Sequence, residues 1–130
     1  MKATIHTDGA CLGNPGPMGL GVVIETSLGV RKEKFFHGVG TNNVAEYSAL
    51  LKALQLALDM GVTEVEAFLD SKLVVEQVSK NWRIKDEKLL PLAEAIWALA
   101  QQLSSFTISY VPREENSVAD ELSKQAAMRV

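Results

Sequence analysis

The chain opens with an alternating run, Ala3-Thr4-Ile5-His6-Thr7-Asp8, that breaks into glycines and prolines from Gly9 to Pro17. This alternation predicts a strand with Ala3, Ile5 and Thr7 on one face and Thr4, His6 and Asp8 on the other. The strand delivers one carboxylate to a tight polar turn. Residues 20–25 and 30–38 read as two further strands, joined through Ser27-Leu28-Gly29 into antiparallel hairpins. Thr41-Asn42-Asn43 opens a helix on which Ala45, Leu50, Ala53, Leu54, Ala57 and Leu58 recur at helical spacing, and Gly61 stops it. Residues 65–70 alternate again, with Asp70 on the face of Glu66 and Phe68, and Ser71 begins a short helix carrying Leu73, Val74, Val75 and Val78. A polar connector, residues 81–88, leads to a helix with Pro91 in its first turn and Leu92, Ile96, Leu99 and Leu103 on its buried side. Residues 106–111 form a fifth strand, residues 112–116 a loop, and residues 117–127 a terminal helix.

The order is β-β-β-α-β-α-α-β-α. A hairpin meander followed by crossover units implies an α/β fold: a mixed five-stranded sheet, three antiparallel strands then parallel ones, flanked by helices. At 130 residues and 47% hydrophobic content, residues 1–130 read as one domain large enough for a real core. No apolar stretch is long enough to span a bilayer, and the N-terminus lacks a signal-peptide pattern. The single cysteine, Cys11, excludes an internal disulfide framework and a multi-cysteine zinc site; it reads as a small turn residue. These features fit a reducing, cytoplasmic setting. The net charge of −3 does not announce a nucleic-acid binder, so any such contact must be local and metal-assisted.

Four acids stand at similar addresses: Asp8 at a strand end, Glu46 in a first helical turn, Asp70 between strand and helix, and Asp120 in the first turn of the last helix. Each has a local structural reading. Asn43 and Glu46, and Ser117 and Asp120, have the spacing of capping boxes, and Asp70 is placed to cap the helix after it. Jointly they point elsewhere. Asp8 and Asp70 face the same side of neighbouring strands, and carboxylates gathered there repel one another unless a cation neutralises them. Hard oxygen ligands with no histidine or cysteine nearby suit magnesium or manganese, which can hold a phosphate for in-line attack by water.

Thr7-Asp8-Gly9 with Gly13-Asn14-Pro15-Gly16, Thr41-Asn42-Asn43-x-x-Glu46, Asp70-Ser71, and Asn116-x-x-x-Asp120-x-Leu122 resemble the four signature segments of type 1 ribonuclease H, in order and spacing, across nearly the whole chain. The resemblance implies a ribonuclease H-like fold and a monomer that cleaves the RNA strand of an RNA/DNA hybrid. It implies two Mg²⁺ ions, with Mn²⁺ as a substitute, on Asp8, Glu46, Asp70 and Asp120, and products ending in 3′-hydroxyl and 5′-phosphate. Gly9, Cys11, Gly13 and Asn14 would face RNA 2′-hydroxyls, Asn14, Asn42 and Asn43 the minor groove, and Thr41 a DNA phosphate. Asn42 and Asn43 are equally suited to capping. Ser71 and Lys72 lie where they could touch phosphate, with a solvated helix surface the alternative for Lys72.

Two departures point to the handle-less branch seen in archaea and some bacteria. The basic, tryptophan-rich protrusion of many members is reduced here to residues 81–88, where Trp82 and Lys85 read as a residual DNA contact or, for Trp82, as packing on the sheet edge. The loop before the last acid has no histidine; it carries Arg113, read either as a group serving the scissile phosphate or as a surface partner of Glu114 or Glu115. Other readings are a different nuclease of the wider superfamily, or a non-catalytic hybrid-binding module, which should have lost one of the acids.

Overall fold

In the computed structural model, which describes residues 1–130, the N-terminal alternation forms β1 (Lys2–Cys11), the central strand of a five-stranded sheet. β2 (Gly16–Thr26) pairs antiparallel with β1, and β3 (Gly29–Gly40) antiparallel with β2. β4 (Glu64–Leu69) and β5 (Ser105–Tyr110) add in parallel on the other side, giving the order β3-β2-β1-β4-β5. The helices are α1 (Asn42–Asp59), α2 (Lys72–Val78), α3 (Leu89–Ala100) and α4 (Ser117–Met128). The expected mixed sheet and element order are observed.

The two faces of the sheet are covered differently. On one, α1 sets Leu50, Leu54 and Ala57 into a cluster with Ile5, Val22, Ile24, Val65, Ala67 and Leu69, and α3 adds Ala93 and Ile96. Full burial of each large aliphatic side chain contributes about 1.5–3 kcal/mol. On the other face, α4 lies across β2 and β1 with small residues inward: Ala119, Ser123, Ala126 and Ala127 are all buried. A Cβ at Gly19 or Gly21 of β2 would collide with the α4 backbone, so glycine is what permits this approach.

Local details depart from expectation. β1 does not end at Asp8. The β1–β4 ladder stops at Thr7–Leu69, while β1 runs on to Cys11 opposite Met18 because β2 continues to supply partners. The strands fork there, and Asp8 and Asp70 stand at the fork. Thr41, not Asn43, caps α1 by accepting from the Val44 N–H at 3.3 Å, which puts Glu46 in the second turn. Ser71, not Asp70, caps α2, accepting from Val74 N–H at 3.3 Å and leaving the Asp70 carboxylate uncommitted. Ser117 and Asp120 form no capping box: Ser117 is already helical, and the residue before it, Asn116, turns its side chain inward to donate to the Thr7 carbonyl at 2.9 Å. A buried strand carbonyl without a partner costs more than an uncapped, solvated helix end. Leu103 is buried as expected but lies beyond the end of α3. No helix is long and apolar enough to cross a membrane.

Candidate active site

The fork between β1 and β4 opens into a cleft of about 470 Å³ that Asp8 lines from β1, Glu46 from α1, Asp70 from the junction of β4 and α2, and Asp120 from α4. Glu46 arrives because α1 touches β1 at Gly9. A Cβ on Gly9 would collide with the backbone of Ala45 and Glu46, and at this contact the Gly9 N–H donates to Glu46 Oε1. Asp8 is 6% exposed and points toward α4, where Ser123 Oγ lies 3.2 Å from its Oδ2. Carboxylate oxygens of Asp8, Glu46 and Asp70 all fall within 4.8 Å of one another.

Burial, with the negative charge of Glu46 beside it, pushes the Asp8 carboxyl up to about 10; burial pushes Glu46 up to about 7. For Asp120 burial acts upward but is outweighed by its hydrogen bond with Asp8 and by Lys124, whose Nζ stands 3.0 Å from Oδ2, so its carboxyl is held below the ordinary range. Asp70 Oδ2 is buried and has no hydrogen-bond partner; Arg113 Nε, at 4.0 Å, is beyond hydrogen-bonding distance. A buried carboxylate oxygen without a donor is costly, and three carboxylates with oxygens within 4.8 Å of one another cannot all stay ionised without a counter-charge. A hard divalent cation removes both difficulties, and an all-oxygen donor set fits magnesium or manganese.

Gly9, Cys11, Asn42, Asn43 and Arg113 line the same cleft as the four acids. The exposed side chain of Arg113 leans toward Asp70 and forms no ion pair with Glu114 or Glu115. Gly13 and Asn14 lie in the exposed turn beyond it, and Asn14 Oδ1 accepts from the Asn42 N–H at 3.0 Å, tying that turn to the start of α1. Thr41 and Ser71 sit at helix caps just outside, and Lys72 Nζ lies over the Tyr110 ring at 5.7 Å. Trp82 and Lys85 are exposed and border no part of the cleft; Trp82, 44% exposed, lines a separate hollow with Lys80 and Trp97 and is not packed onto the sheet edge. Sequence reasoning missed Lys124, although its spacing of four from Asp120 is an acid–base pair signal on a helix. It also missed Ser123, for which no local signal exists, because its relation to Asp8 spans 115 residues.

The family described as Reverse transcriptase-like matches residues 6–126. Among solved structures, the chain is similar to RNase H1 from the halophilic archaeon Halobacterium salinarum, with a TM-score of 0.95 and 34% identity over all of both chains. It is similar to LC11-RNase H1, a structure in complex with RNA/DNA hybrid, with a TM-score of 0.91 and 34% identity over 98% of this chain and 97% of that one. In sequence it is 43% identical over 129 residues to the bifunctional protein Rv2228c of Mycobacterium tuberculosis, a match covering 97% of this chain and 35% of that protein. The chain thus spans about a third of the length of that mycobacterial relative. Fold and carboxylate cleft together define the ribonuclease H-like class. Within it, the chain belongs to the type 1 ribonuclease H family.

Proposed function

We propose that this chain is a metal-dependent endonuclease that hydrolyses the RNA strand of RNA/DNA hybrids, leaving 3′-hydroxyl and 5′-phosphate ends. The observation that carries the reading is the orphaned, buried Asp70 oxygen set against Asp8 and Glu46 in an open cleft. Asp8, Glu46, Asp70 and Asp120 would hold two Mg²⁺ ions, with Mn²⁺ able to take their place. Ions held there supply Lewis-acid polarisation of the scissile phosphate and an attacking water of lowered pKa.

The chain's own residues bind and orient the duplex. Gly9, Cys11, Gly13 and Asn14 present the turn to RNA 2′-hydroxyls, the groups that distinguish RNA from DNA. Asn42 and Asn43 reach the minor groove. Thr41 takes a DNA phosphate, and Ser71 and Lys72 serve phosphate beside the acids. Arg113, permanently cationic, holds a phosphate oxygen or the departing 3′-oxygen and does not act as a base. Trp82 and Lys85 extend the DNA contact beyond the cleft.

The test is cleavage of RNA/DNA hybrid against RNA/RNA, DNA/DNA and single-stranded RNA, each with Mg²⁺ and with EDTA. Only the hybrid should be cut, only with metal, and Asp70→Asn should lower kcat by about 10²–10³-fold, the scale of losing one transition-state electrostatic contact. The variant's circular dichroism should match wild type. Cleavage that ignores metal, or a fully active Asp70→Asn, overturns the reading.

A further inference from the structure

We infer that Ser123 is a positioning residue for the metal site, orienting the Asp8 carboxylate through its hydroxyl. The inference rests on the proposed metal-binding role of Asp8. Ser123 is fully buried in α4, and its Oγ lies 3.2 Å from Asp8 Oδ2 and 2.7 Å from the Asp120 carbonyl. It therefore joins two of the four acid-bearing elements through a single side chain.

Packing alone does not ask for a hydroxyl here. The space beneath α4 is set by Gly19 and Gly21, whose missing side chains admit the helix backbone, and the neighbouring inward positions Ala119, Ala126 and Ala127 are filled by methyl groups. Alanine at 123 would meet the same volume. What serine adds is one buried hydroxyl on the α4 side of Asp8, whose single proton is shared between the Asp120 carbonyl of its own helix at 2.7 Å and Asp8 Oδ2 at 3.2 Å, and an ionised Asp8 draws that proton toward itself. A carboxylate has several lone-pair directions, and a donor on one oxygen selects the rotamer in which the other faces the cleft. Gly21 is the cross-strand partner of Asp8, so the glycine that lets α4 approach and the strand position it serves are in register.

The experiment is Mn²⁺ and Mg²⁺ titration of the full, substrate-free chain by calorimetry, with thermal unfolding in EDTA as the fold control. Ser123→Ala should unfold in EDTA near the wild-type temperature yet bind metal about tenfold more weakly, the usual cost of losing an outer partner of a ligand. On hybrid substrate its kcat should fall at low Mg²⁺ and recover at saturating Mg²⁺. Ser123→Cys, of similar size with a weak donor, should fall between wild type and Ser123→Ala, and it carries the test if the alanine chain does not fold. Metal affinity equal to wild type in a folded variant overturns the role of Ser123. Absence of metal binding by the wild-type chain instead overturns the metal site itself.

Discussion

The two faces of the sheet solve different problems. Beneath α1, large aliphatic side chains such as Leu50, Leu54, Ile5 and Ile24 interlock in a cluster of 20 buried residues. Beneath α4 there is almost no side-chain layer: Gly19 and Gly21 meet backbone, and the interactions are polar, Asn116 to the Thr7 carbonyl and Ser123 to Asp8. The first face supplies stability through area removed from water. The second fixes where Asp120 stands relative to Asp8. The acids lie where the two meet, Glu46 arriving from the α1 side and Asp120 from the α4 side.

A pair of substitutions separates these roles most strongly. Leu54→Ala should cost about 2–5 kcal/mol of unfolding free energy and leave kcat per folded molecule and metal affinity near wild type. Gly21→Ala should cost about 1–3 kcal/mol by overpacking, yet weaken metal binding and lower kcat, because displacing α4 moves Asp120 and Ser123 together. Denaturant unfolding with calorimetric metal titration decides it; if both variants lose stability alone, the contrast between the faces fails.

Removal of Arg113 tests whether the seam needs a cation of its own. Arg113→Ala should lower kcat by about tenfold, on the scale of a charge-assisted contact to phosphate, with Arg113→Lys recovering part of it. At saturating Mg²⁺, which keeps Glu46 and the other acids ionised, the pH–rate profile should have no limb near the histidine value of about 6.5, since the loop carries no histidine. Wild-type kinetics in Arg113→Ala would assign the whole task to the acids.

Acidity reads the same seam without substrate. Asp8, raised from 3.8 to about 10, and Glu46, raised from 4.5 to about 7, bind protons more tightly folded than unfolded. The stability this protonation contributes is present at acid pH and is lost as pH rises from about 4, through about 7 for Glu46 and on toward about 10 for Asp8. Asp120, lowered, contributes in the opposite sense and loses its share only as pH falls through the acid range. In EDTA the melting temperature should therefore drop between about pH 5.5 and pH 9, and drop less in Asp8→Asn. Saturating Mg²⁺ should flatten the wild-type trend. A melting temperature that climbs across this range in EDTA contradicts the acid cluster as described.

Much of this was legible in the chain. The alternation at Ala3–Asp8 and the helical spacing from Ala45 to Leu58 follow from periodicity, which each segment carries by itself, and the four acids stand out because their signature segments keep order and spacing. The boundaries were less legible. Asn43 and Thr41 are both good caps by composition, and only the path of the chain out of β3 chooses Thr41. Ser117 and Asp120 read locally as a capping box, yet the helix forms no such box, and the side chain of Asn116 just before it serves a strand carbonyl 109 residues away.

The sequence by itself determined the element order, the mixed sheet and which four acids to look for in one cleft, because these follow from residue type, periodicity and the order and spacing of segments. Tertiary structure alone decided that β1 outlasts β4 and opens the fork, that α4 sits against glycine rather than against a side-chain layer, and that Ser123 reaches Asp8 while Trp82 stays clear of the cleft. Each of those depends on the distance between groups far apart in the chain, and such distances are set by which surfaces pack, a sum over the whole molecule that no local window contains.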